Sequence, residues 1–63
     1  MKKLFYVDLW LGCAVISAES KERAEKYAKN YFGLVNFKSI REKLKEDAEL
    51  EFALAMGAAV HEI

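Results

Sequence analysis

Apolar and polar residues alternate through residues 3–18. Phe5, Val7, Leu9 and Leu11 fall on one side of an extended chain, and Leu4, Tyr6, Asp8 and Trp10 on the other. This period of two predicts a β-hairpin. Gly12-Cys13 is a two-residue loop of the Gly-X kind that suits a type II′ turn. Such a loop pairs Leu11 with Ala14, Leu9 with Ile16 and Val7 with Ala18 on one face. It pairs Trp10 with Val15, Asp8 with Ser17 and Tyr6 with Glu19 on the other.

The period then changes. Ala24, Tyr27, Ala28, Tyr31 and Phe32 recur at i, i+3, i+4, i+7 and i+8, which predicts an amphipathic helix over 21–32 with that stripe buried. Ser20 supplies an N-cap, and Glu22 sits in the first turn, where the positive helix end favours an acid. Glu22 with Lys26, and Glu25 with Lys29, are i, i+4 pairs in the favourable orientation. Gly33 ends the helix in a left-handed cap, with Leu34 beyond it to pack back.

Residues 34–44 admit two readings. Leu34 to Phe37 reads as a short strand, followed by a helix from Ile40 if Ser39 and Glu42 form a capping box. Alternatively Val35, Phe37, Ile40, Glu42 and Leu44 belong to one extended strand with a bulge. Residues 48–56 are also ambiguous, because period-two spacing favours a strand while the Ala, Leu, Glu and Met content favours a helix. Helix is the preferred reading: Gly57 stands where a C-terminal cap belongs, and Ala59 to Ile63 then forms a last strand. The expected fold class is α+β, with an N-terminal hairpin, two helices and a C-terminal strand. The simplest arrangement is a three- or four-stranded sheet with both helices on one face.

At 63 residues the chain is a single domain, 1–63. A chain this short buries only about 60% of its unfolded surface, so a disulfide, a metal or a partner usually supplements the core. Cys13 is the only cysteine, which excludes an intramolecular disulfide and a cysteine-rich zinc site. Oligomerisation or idealised packing remains. The net charge is zero but unevenly placed: residues 1–45 carry all ten bases against five acids, while 46–63 carry five acids and no base. Either the acidic stretch folds back onto the basic one, or the asymmetry marks a partner surface.

Catalytic chemistry is sparse. His61 and Cys13 are the sole histidine and cysteine, at opposite ends of the chain. A cysteine nucleophile needs a base nearby, and nothing in the spacing requires these two to meet. No glycine-rich phosphate loop is present, no cofactor or metal is expected, and the chain is read as a non-enzyme. Lys2 and Lys3 before an apolar run have the flavour of a signal peptide, but Asp8 interrupts that run. No stretch reaches the ~20 apolar residues of a membrane span, so a cytoplasmic location is expected.

The hairpin followed by Ala18-Glu19-Ser20-x-x-x-Ala24-x-x-x-Ala28 and then Tyr31-x-Gly33 resembles small bacterial and phage ββα modules of the DpnD/PcfM-like kind. The resemblance covers residues 3–33 and does not extend past Gly33. It implies an accessory protein of a mobile element, and it transfers no functional residue.

These readings point to a non-enzymatic protein-interaction or assembly module. The expected interface is the outer hairpin face, Leu4, Tyr6, Trp10 and Val15, joining two copies as a homodimer. The competing arrangement has the second helix cover that face within one chain. The alternative function is nucleic-acid binding, through Lys21, Arg23, Lys26 and Lys29 on the first helix and Lys38, Arg41, Lys43 and Lys45 beyond it, with Tyr6 and Trp10 stacking bases. Overall neutrality counts against it.

Overall fold

In the computed structural model, which describes residues 1–63, the chain runs β1 (Lys3–Leu9), β2 (Gly12–Ala18), α1 (Lys21–Phe32), β3 (Phe37–Lys43), α2 (Ala48–Ala55) and β4 (Ala59–Glu62). The strands form one mixed sheet in the order β3-β1-β2-β4. β1 is antiparallel to both β2 and β3, and β4 joins the far side of β2 in parallel. The α+β class, the hairpin, both helices and the last strand are as the alternation and capping signals predict, and the fourth element, which the sequence left open, is a strand.

The hairpin register differs. Leu9 pairs with Gly12 rather than Ile16, Val7 with Ala14 and Phe5 with Ile16, so Trp10-Leu11 is the loop. The slide of four residues is even, which leaves every side chain on its expected face. Its cause is the start of α1. The expected register would pair Leu4 with Lys21 and Lys3 with Glu22, both of which are helical. The observed one ends with Lys3 opposite Ala18, leaving Ser20 free to cap. No residue other than glycine has positive φ, and the demand for one falls on Gly12 (φ 147°), directly after the loop.

Ser20 Oγ accepts the Arg23 N–H at 3.2 Å, and α1 ends at Gly33 with φ 91°. Ala24 and Ala28 are fully buried and Tyr27 and Phe32 half-buried, but Tyr31, expected in the core stripe, is exposed. Of the two readings of 34–44, the bulged strand is correct. Asp8 pairs with Ser39 and Leu9 with Phe37, so Lys38 is the extra residue of a bulge. Ser39 is no helix cap; its hydroxyl donates to Asp8 Oδ2 at 3.2 Å. Residues 34–36 form a turn rather than a strand. α2 is capped by Asp47, whose Oδ1 accepts the N–H groups of Glu49 and Leu50 at 2.9 and 3.2 Å.

The helices lie on opposite faces of the sheet, not on one. Phe5, Val7, Ile16, Ala18 and Ile40 pack with Ala24 and Ala28 of α1. On the other face Tyr6 and Val15 pack with Leu50 and Ala53 of α2. Strand order explains the difference. α1 links the parallel strands β2 and β3, travelling past β1, and α2 links β3 to the parallel β4, travelling back past β1 and β2. With strand direction unchanged and travel reversed, crossovers of one hand must use opposite faces. The strong preference for right-handed crossovers therefore separates the helices.

Candidate interaction surfaces

α2 disposes of the expected dimer face. Val15 is fully buried and Tyr6 nearly so beneath Leu50 and Ala53, and Leu4 is half-buried at the margin of the same cluster. The arrangement within one chain is the correct one for these three residues. Tyr6 is likewise closed to base stacking. The Cys13 thiol beside it, together with burial, pushes its hydroxyl up to about 12. Only Trp10 of the four stays exposed, because the shifted register puts it in the loop.

Half of the α2 face is polar and absorbs much of the charge asymmetry. Arg41 Nη2 lies 3.1 Å from Asp8 and 3.4 Å from Glu49, and Lys43 Nζ lies 2.8 Å from Glu49 and 3.7 Å from Asp47. The Lys43 ammonium holds the Glu49 carboxyl below the usual glutamate range, and Glu49 in turn raises Lys43. Asp47 is also lowered, first by the Leu50 N–H, then by that of Glu49 and by Lys43. At the other sheet edge Lys2 meets Glu62 at 3.3 Å.

The candidate nucleic-acid residues do not come together. Lys21, Arg23, Lys26 and Lys29 belong to α1, whereas Arg41 and Lys43 sit on the opposite face and are engaged by acids. Lys29 is bound to Glu25 at 2.7 Å, which lowers the Glu25 carboxyl. Lys38 lies over the Trp10 ring, 4.7 Å from its centroid, and Lys45 is exposed in the β3–α2 turn.

Cys13 and His61 are also apart. Cys13 is half-buried on the α2 side, while His61, level with Ile16 on β4, faces α1. The Tyr27 hydroxyl and His61 Nδ1 are 2.8 Å apart, and Tyr31 and Phe32 meet the imidazole edge-on at 4.7 and 5.4 Å between ring centroids. His61 is therefore the hub of an aromatic cluster that ties the last strand to α1. No three of the His, Cys, Asp and Glu side chains are placed to share a metal ion.

One exposed apolar surface joins Trp10 to residues that the alternation pattern did not single out as an interface. At the hairpin end, Trp10 is 66% exposed, Leu11 90%, Leu34 70% and Val35 92%, around an open groove of about 580 Å³ with Phe32 in its wall. The α1–β3 turn is held against the hairpin loop by Asn36, which accepts N–H groups from both Trp10 and Leu11. The turn itself closes on Gly33, whose carbonyl accepts from Asn36 and Phe37 at 3.1 Å. In sequence, Leu34 and Val35 read as strand residues awaiting burial. Their exposure follows from the turn over 34–36, closed on Gly33, which delays the start of β3 to Phe37.

No protein-family model matches the chain, and no curated protein or solved structure matches it either. No helix is long and apolar enough to cross a membrane.

Proposed function

We propose that this chain is a non-catalytic protein-interaction module that self-associates through its hairpin end. The observation that carries the reading is the grouping of Trp10, Leu11, Leu34 and Val35 on two loops clamped to each other. Contiguous apolar surface of this kind marks interfaces, and tryptophan is enriched among the residues that dominate binding energy. The clamp fixes the loops before binding, which lowers the ordering cost of association. No charged residue lines the groove, and Lys38 covers the Trp10 ring from outside it, so a twofold pairing of two such ends meets little like-charge repulsion. A 63-residue chain without a disulfide gains stability from that burial. The separation of Cys13 from His61 supports a non-catalytic role, and the free thiol accords with a reducing, cytoplasmic setting. The likeness of residues 3–33 to bacterial and phage ββα modules fits an accessory protein.

Sedimentation equilibrium, read together with Trp10 fluorescence, tests the proposal. Association at high micromolar concentration should blue-shift the emission. Trp10→Glu should be a folded monomer with nearly unchanged melting temperature, because the side chain is exposed. A wild type that stays monomeric throughout, or that instead shifts DNA mobility in a steeply salt-dependent way, overturns the reading.

A further inference from the structure

α2 is apolar on both sides. Leu50 and Ala53 face the sheet, while Phe52, 68% exposed, and Met56, 73% exposed, follow each other at i, i+4 on the outside. A helix with apolar residues on opposite sides ordinarily has both sides covered, and here the outer one has no cover. The charge on the helix itself is acidic, and the nearest base in sequence is the exposed Lys45 in the turn before it. Asp47 and Glu49 are engaged by Arg41 and Lys43, but Glu46 and Glu51 are exposed without an ion-pair partner. Residues 46–63 contain no base, and none stands in the last turn of α2. The carbonyls of Phe52, Ala53 and Leu54 accept the N–H groups of Met56, Ala58 and Gly57, but no cationic side chain stands at this negative helix end, unlike that of α1, which has Lys29 in its last turn.

We propose that the outer face of α2 docks an amphipathic helix of a partner protein. Its apolar stripe lies on Phe52 and Met56, and its flanking lysines or arginines reach Glu46 and Glu51. This is the helix-on-apolar-face mode of recognition, and the eight residues of α2, about 12 Å long, match two to three turns of a partner. Charge complementarity selects the occupant. A second copy offering its own α2 brings acid against acid. A second copy offering α1 presents Lys21, Arg23 and Lys26, which have the right charge, but the outward face they occupy lacks an apolar stripe. Nucleic acid and anionic lipid are repelled by the same carboxylates.

Two fluorescein-labelled synthetic helices with the same leucine stripe, one flanked by lysines and the other by glutamates, test this against the full chain by fluorescence anisotropy. The lysine peptide should bind at least about tenfold more tightly, and its advantage should shrink as salt rises. Phe52→Ser with Met56→Ser should abolish binding. Glu46→Lys with Glu51→Lys should remove the preference for the lysine peptide while leaving the melting temperature in place, an arm that holds even if the serine variant folds poorly. Trp10→Glu should bind the lysine peptide normally, which separates this site from the hairpin end. Failure of the lysine peptide to bind, equal affinity for the two peptides, or loss of binding in Trp10→Glu overturns the proposal.

Discussion

The side chain of Asn36 holds the backbone of Leu11: its Oδ1 accepts the Leu11 N–H at 3.1 Å, across 25 residues of chain. The Asn36 carbonyl takes the neighbouring Trp10 N–H at 2.9 Å. One residue thus satisfies both loop donors, and only the Leu11 bond depends on its side chain. Asn36→Ala should cost about 1 kcal/mol, the net worth of one hydrogen bond, since water can reach the freed amide. Hydrogen exchange discriminates further. The Leu11 amide should lose protection while the Trp10 amide keeps it, and unchanged exchange at Leu11 would refute the clamp.

Leu50 is fully buried against the sheet, whereas Phe52 on the same helix points outward. Leu50→Ala should therefore destabilise by about 3 kcal/mol, as core truncations do. Phe52→Ala should stay within about 0.5 kcal/mol of wild type by urea denaturation. Equal losses in the two variants would mean that α2 docks by a different side.

Period and capping made the elements themselves legible: Ser20, Gly33 and Gly57 mark helix ends, and the faces of β1 and β2 follow from alternation. The hairpin register was not legible from burial, because a slide by an even number of residues preserves both faces. Only the competing claim of α1 on Lys21 and Glu22 excludes the alternative. The placement of α2 depended on β4 adding beyond β2, a long-range fact with no local signature. Once that order is known, crossover handedness follows, and with it the burial of Tyr6 and Val15. Trp10 was singled out for its exposed side chain and remains exposed, but beside Leu11, Leu34 and Val35 rather than Leu4, Tyr6 and Val15.

Acid should loosen α2 first. The carboxyls of Asp47 and Glu49 are both lowered in the fold, so the stability they supply is fully present above their ordinary values of 3.8 and 4.5 and disappears as pH falls through the lowered ones. Lys43, raised by Glu49, has the opposite sense: its contribution is full below the ordinary lysine value of 10.5 and fades as pH rises through the raised one. Glu49→Gln should flatten the acid limb of a plot of melting temperature against pH. All these groups are solvent-accessible, so added salt should shrink the difference between variant and wild type. An acid limb of unchanged slope would show that the Lys43–Glu49 pair at 2.8 Å contributes nothing.

The bond between Tyr27 and His61 is the side-chain hydrogen bond that ties β4 to a helix, beside the packing of Tyr31 and Phe32 on the imidazole. β4 is four residues long, lies at an edge and pairs only with β2, so it should fray more easily than the other strands. Tyr27→Phe keeps the ring, which stacks on Tyr31 at 5.5 Å and packs on the α1-side core, and removes only the hydroxyl. It should cost about 1 kcal/mol, against about 3 kcal/mol for Tyr27→Ala, which also removes the ring. The hydroxyl loss should be local. The Ile63 amide, which donates to Ser17 at 2.9 Å, should exchange faster in Tyr27→Phe, while amides shared by β1 and β2 change little. A double-mutant cycle with His61→Gln isolates the pair: if the bond anchors the strand, the double variant should be more stable than the sum of the single losses by about 1 kcal/mol. Strict additivity would mean that packing alone holds β4 to α1 and that the 2.8 Å contact contributes no coupling.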